Sequence, residues 1–151
     1  MSIADITTDL QGIKRHLITE RRSIPLAFLL IGTHVHDSMP FEDLLDVAPH
    51  VAGKRARPRR RPDKLHAYKA YDNRRCLRAC LRRQIRPRIA RRGIDTIQKL
   101  GRRRWVTERS FAWFNKFRRL TIRYERRLDI YHVFTPLACS LICLRALQGR
   151  F

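Results

Sequence analysis

Residues 64–89 read KLHAYKAYDNRRCLRACLRRQIRPRI, and the fold class follows from this stretch. Its opening, KLHAYKA over 64–70, reads as a short strand. Asp72-Asn73 then offers a helix cap. Cys76, Leu77, Cys80 and Leu81 follow at helical spacing, which carries a helix to about Arg83. Residues 85–89 form a second short strand. A strand, a helix and a strand in that order predict a right-handed crossover joining a parallel pair.

Upstream, residues 13–19 alternate weakly and run into a polar turn, Glu20-Arg21-Arg22-Ser23. The apolar run IPLAFLLI over 24–31 is closed by Gly32. Two such runs about a short turn predict a β-hairpin, and the length and Pro25 favour a strand for the second run. Phe41, Leu44 and Leu45 have helical spacing behind Ser38 and Pro40, so 41–47 is a helix. Residues 51–63 (VAGKRARPRRRPD) are a basic linker interrupted by Pro58 and Pro62. Residues 1–12 hold Asp5 and Asp9, lack a strand pattern and carry no signal peptide. They read as a leader or remnant.

Downstream, residues 91–104 read as a basic loop holding Gly93 and Gly101. Residues 105–120 are a strong helix with Val106, Trp113, Phe117 and Leu120 as its core stripe, followed by an extended piece at 121–127. Residues 130–147 are apolar nearly all round and predict a buried helix. The apolar run 133–147 contains Ser140 and Arg145 and is short for a bilayer, so no membrane is expected. The elements add up to mixed α/β with one antiparallel sheet edge.

The chain has 151 residues, enough for one core. Lys and Arg number 34 against 13 acids, a net charge of +21. Such an excess costs the compact state self-repulsion that a polyanion relieves, and Arg suits bidentate phosphate contacts. The expected partner is a nucleic acid and the expected location the cytoplasm. The four cysteines form two i,i+4 pairs, Cys76/Cys80 and Cys139/Cys143, which read as thiols packed on helix faces. His34-x-His36-Asp37 reads as a turn after the hairpin. Trp105, Phe111, Trp113, Phe114 and Phe117 read as mainly core, one or two facing nucleic acid. Lys54–Arg61 is either a phosphate-tracking loop or a solvated linker.

Glu108 is an acid within the strongest helix, on a face shared with Arg104, Ala112 and Asn115 and with Lys116 beside it. Composition alone favours an ordinary surface ion pair. The longer pattern around it carries more. RRWVTERSFAWFNKFRRLTIRYERR (103–127) resembles the C-terminal catalytic region of DDE transposases of bacterial insertion sequences. The family's spaced Arg, Glu and basic residue match Arg104, Glu108 and Lys116, with Lys116 one place beyond the commonest spacing. The resemblance extends to IKRHLITERRSIPLAFLLIGTHVHDS (13–38), GKRARPRRRPDKLHAYKAYD (53–72), RPRIARRGI (86–94) and DIYHVFTPLACSLICLRAL (129–147).

That resemblance implies a ribonuclease H-like fold, a mixed sheet flanked by helices, over residues 13–147 and incomplete at its N-terminus. It implies an enzyme whose three carboxylates hold two Mg²⁺ ions about 4 Å apart for in-line phosphoryl transfer. Glu108 would be the catalytic and metal-binding acid. Arg102, Arg103, Arg104, Lys116, Arg118 and Arg119 would contact double-stranded DNA, in the cytoplasm at the nucleoid. The family strand normally carries its second Asp where this chain has Tyr68, and a neutral phenol cannot replace a bridging carboxylate. Asp72 reads as a helix cap, and the strand of the first Asp is expected to be missing. The implied function is DNA transposition, by a chain that is itself a catalytically defective fragment. The alternative is a non-catalytic DNA-binding or oligomerising fragment that interferes with intact transposase, as a homo-oligomer or with the intact protein.

Overall fold

The computed structural model describes residues 2–10, 12–50, 61–91, 97–122, 124 and 127–149, with 2–10 and 97–104 described by backbone alone. Five strands form one sheet in the order β3-β2-β1-β4-β5. They are β1 Ser2–Leu10, β2 Ile13–Thr19, β3 Pro25–Gly32, β4 Lys64–Ala67 and β5 Arg86–Ile89. The helices are α1 Phe41–Val47, α2 Arg74–Arg82, α3 Ile97–Phe114, α4 Arg118–Thr121 and α5 Leu128–Leu147, and a single 3-10 turn covers Lys69–Tyr71.

The hairpin forms as its pattern predicts. β2 and β3 pair antiparallel from Ile13↔Gly32 towards Thr19↔Pro25. Ser23 adopts φ 71° in the connecting turn. The crossover unit forms too: β4 and β5 are parallel, with Lys64 level with Arg86 and Ala67 with Ile89. α2 is capped by Asn73, whose side chain accepts from the Cys76 amide at 2.9 Å. Asp72 closes the 3-10 turn instead of capping α2. The strand ends at Ala67, three residues short of its expected end, because the chain turns there into the 3-10 segment. On α2 the buried positions are Cys76, Ala79 and Cys80, whereas Leu81 is 64% exposed.

The largest departure from expectation is at the N-terminus. Ser2–Leu10 is a strand, and it occupies the middle of the sheet. It pairs antiparallel with β2 (Ala4↔Leu17, Asp5↔His16) and parallel with β4 (Ser2↔His66, Ile3↔Ala67). Its sequence, SIADITTDL, shows no clean alternation because a central strand draws its order from neighbours on both sides. The central strand expected to be missing is thus supplied from within this segment.

Two clusters cover the two faces. α1 and α2 build the first: Phe41, Leu44, Tyr71, Cys76 and Cys80 pack with Ile18, Leu65 and Ala67. The second joins Ile13 and Leu17 of β2 to Phe111, Phe114, Leu120, Tyr131, Ala138 and Ile142. Burial holds the cysteine thiols protonated, Cys80 pushed up to about 11 and Cys139 to about 12. The buried Arg15 donates to the Leu120 carbonyl at 2.9 Å, which also accepts from Tyr131 at 3.3 Å. This ties β2 to the α4–α5 layer.

α5 differs from expectation in its environment. Tyr131, Thr135, Ala138 and Ile142 are buried, while Ile130, Val133, Leu137, Leu141, Leu144 and Leu147 are exposed. The helix covers the sheet with one stripe only; its remaining apolar surface follows from sequence that is apolar all round. By length and composition its 20 residues are enough to cross a membrane, longer than the 133–147 run suggested. Residues 51–60 of the expected Pro/Arg linker (51–63) and residues 92–96 of the expected basic loop lie outside the described residues.

His16 sits wholly buried, its Nδ1 2.7 Å from the Tyr71 hydroxyl. Burial is the main reason its pKa falls to about 4. A lowered folded value means the unfolded chain takes up the proton first. Stability is therefore complete above about pH 6.5 and is lost as pH falls towards 4. The expected loss is about 2 kcal/mol at pH 5 relative to pH 7. Urea midpoints at the two pH values check this against His16→Gln, which should remove that component; an equal pH dependence in both proteins would refute it.

Candidate functional site

α3 carries the site, and its sequence explains its seating. Val106, Thr107, Ser110, Phe111 and Phe114 are buried, a stripe at helical spacing that turns this side to β1 and β2. The Ser110 hydroxyl lies 2.6 Å from the Ser23 carbonyl and 3.1 Å from that of Val106, which fixes the helix against the hairpin turn. The opposite side is left exposed, with Trp105, Glu108, Arg109 and Ala112. Glu108 therefore stands on a solvent-facing helix surface above the central strands.

The helix begins at Ile97, so Gly101 and Arg102–Arg104 are part of it and not of a preceding loop. The side chains of Arg102, Arg103 and Arg104 are outside the described residues. The helix also ends earlier than expected. Asn115, Lys116 and Phe117 form a turn, with the Lys116 amide donating to the Trp113 carbonyl at 3.1 Å. Lys116 is exposed, beyond the helix end rather than on its face. Trp113 and Phe117, expected in the core stripe, are half-buried; Phe111 and Phe114 fill that role.

Several basic groups are held by aromatic faces. The Arg109 guanidinium lies 5.3 Å from the Trp105 ring and 4.9 Å from Trp113. Arg118 and Arg119 lie 5.8 and 5.4 Å from the Tyr124 ring, and Arg118 Nε donates to its hydroxyl at 3.2 Å. Arg119 also lies 5.6 Å from Phe134. Stacking limits the rotamers of these exposed arginines. Arg109 was not singled out from the sequence. Its signal was the Trp105-x₃-Arg109-x₃-Trp113 spacing, one side chain per helical turn.

Tyr68 follows the last residue of β4 and precedes the 3-10 turn. It is half-buried, packs with the first cluster, and has the Lys69 ammonium 5.6 Å from its ring. The Asp5 backbone stands level with His16 on β1, between the strand that leads to Tyr68 and the strand beneath α3. Asp37 is engaged by Lys14 at 2.7 Å, and His36 Nδ1 lies 2.8 Å from the Ser38 hydroxyl, so the His34–Ser38 stretch is a closed turn. Among the described residues no three His, Cys, Asp or Glu side chains converge as a metal site. The phenol of Tyr68 offers no carboxylate oxygen to a divalent cation.

A sheet with two antiparallel strands, a central strand and two parallel strands, packed between helices on both faces, defines a mixed α/β domain. The chain belongs to the Transposase DDE domain family, whose model matches residues 4–143. It is similar to a putative transposase for insertion sequence element IS402 from Burkholderia cepacia, 42% identical over 137 residues. That match takes in 91% of this chain and 65% of the relative, so the chain spans about two-thirds of the relative's length. No solved structure matches.

Proposed function

We propose that this chain is the DNA-binding catalytic portion of a transposase that acts on element-end DNA by Mg²⁺-dependent phosphoryl transfer, and that the chain as it stands does not cut. The observation that carries the reading is the family match over 140 residues combined with a charge of +21. In the family pattern Glu108 is an acid of the site and Tyr68 stands where the second acid belongs, although Tyr68 packs with the first cluster and the Glu108 helix with the second. Arg102, Arg103, Arg104, Lys116, Arg118 and Arg119 take DNA phosphates beside it. Its proposed place is the cytoplasm, on the nucleoid. The order of the sheet strands supports a ribonuclease H-like arrangement for the domain. A self-associating fragment that occupies DNA and thereby interferes with intact transposase is the second reading. The exposed apolar stripe of α5 favours it.

Supercoiled plasmid incubated with Mg²⁺ or Mn²⁺ tests the site. Wild type is expected to leave it intact, and so is Tyr68→Asp alone. His16, level with Asp5, is enclosed with Tyr71 on the α1/α2 side, whereas Glu108 belongs to the opposite layer. Metal-dependent nicking by wild type that Glu108→Ala abolishes would refute the defect. Nicking confined to Tyr68→Asp would instead assign the role of first acid to Asp5 or Asp9.

A further inference from the structure

We propose that the tip of the β2–β3 hairpin and the adjoining flank of α3 form a phosphate clamp, in which Arg21, Arg22 and Arg109 take backbone phosphates of a DNA duplex. The inference rests on the reading of the chain as DNA-binding and specifies where the duplex is held. The tip is a tight turn: the Ser23 amide donates to the Glu20 carbonyl and the Glu20 amide to the Ile24 carbonyl, each at 3.0 Å. Arg21 and Arg22 are its two corner residues, and both are exposed. Ser23 closes the turn at φ 71°, a conformation that glycine usually supplies. It is held there from outside the hairpin. Ser23 is fully buried, and its carbonyl accepts from the Ser110 hydroxyl of α3 at 2.6 Å. The Pro25 carbonyl, two residues on, lies 3.9 Å from Cys143 Sγ of α5. The corner arginines are thus carried on a fixed support.

Helical geometry sets Arg109 beside them. Ser110 marks the side of α3 that meets the tip. Around the helix Trp113 stands about 60° from it and Arg109 about 100°, whereas Glu108 stands about 160° away in the opposite sense. Arg109 and Trp113 therefore occupy the flank next to the tip. The Arg109 side chain is itself held, with its guanidinium between the Trp105 and Trp113 rings.

Three guanidinium groups from two elements stand around this one contact, and each is charged at every pH at which the chain folds. Among the described residues none of the three forms an ion pair; the turn's own acid, Glu20, engages neither corner arginine. Gathering unpaired cations costs repulsion that a polyanion relieves. The turn fixes the backbone of two of these residues and the rings fix the side chain of the third. Binding therefore has less ordering to overcome, and each guanidinium can meet a phosphate with two N–H groups. Unpaired charge alone does not make the case. Arg74 and Arg78 of α2 are also exposed and unpaired, but no second element holds them and their helix lies in the α1/α2 layer.

That difference supplies the test, run on the full-length chain by fluorescence anisotropy with a 20-base-pair duplex across NaCl concentrations. Arg21→Gln/Arg22→Gln should lower the log–log salt slope by about 1.8 and Arg109→Gln by about 0.9, whereas Arg74→Gln/Arg78→Gln, which removes the same charge as the tip pair, should lower it by under about 0.5. Arg21→Lys/Arg22→Lys should keep the wild-type slope. Equal losses from the tip and α2 pairs, an unchanged slope in the tip pair, or a lysine pair that fails to restore it overturns the clamp. Trp105 and Trp113 are the two tryptophans of the chain, so their emission reports on the Arg109 bracket alone. Acrylamide quenching of that emission should fall once the chain is saturated with duplex; quenching that stays at its unbound level overturns the placement of Arg109. A wild-type chain that does not bind the duplex at all defeats the DNA-binding reading itself.

Discussion

Raising salt from 50 to 200 mM should weaken binding of this chain to a short DNA duplex by on the order of a thousandfold or more. The expectation follows from charge alone. Lys and Arg outnumber Asp and Glu by 34 to 13, and the exposed cations lie on several elements. Each phosphate neutralised releases condensed counterions, so the log–log slope approaches about 0.9 for each contact. Six or more contacts give the thousandfold effect. Sequence-scrambled duplexes should bind within a few-fold of one another, because backbone contacts carry no base information. Anisotropy titrations over that salt range check both expectations; a nearly flat salt dependence would show that the charge is a solvated surface.

The second large effect concerns α5. Ile142→Ala should destabilise the chain by about 2–5 kcal/mol, since Ile142 is 1% exposed in the second cluster and its removal leaves a cavity beside Tyr131 and Ala138. Leu137→Ala on the same helix should cost under about 0.5 kcal/mol, because Leu137 is 55% exposed. Urea midpoints at low protein concentration measure the contrast. Equal losses at the two positions would mean that the helix is covered on both sides.

What the sequence made legible divides along physical lines. The hairpin at 13–32 and the parallel pair flanking α2 were readable because turn residues and caps are local signals. β1 was not readable: its order comes from pairing with β2 and β4, and SIADITTDL carries little pattern of its own. The ends of α3 were misplaced for a related reason. Gly101 resembles a breaker but is tolerated inside an 18-residue helix, while Asn115-Lys116-Phe117 turns although its residues do not demand it. The burial of α5 was overestimated because a helix apolar on all sides does not reveal which stripe meets the core. For the proposed site, Glu108 and Tyr68 are named from the family pattern alone. The Arg109 sandwich and the hairpin-tip arginines required helical and turn geometry to be applied to residues outside that pattern.

On the proposed reading of the site, the central chemical point is that position 68 holds a tyrosine where the second acid belongs. A hydroxyl on an aromatic ring would not supply the bridging carboxylate that two closely spaced cations need. Mn²⁺ titration followed by electron paramagnetic resonance measures that deficit without relying on turnover. With the full chain bound to duplex, the account predicts only weak, non-saturating binding, indistinguishable between wild type and Glu108→Ala. A saturable, stoichiometric Mn²⁺ site in wild type that Glu108→Ala removes would contradict it.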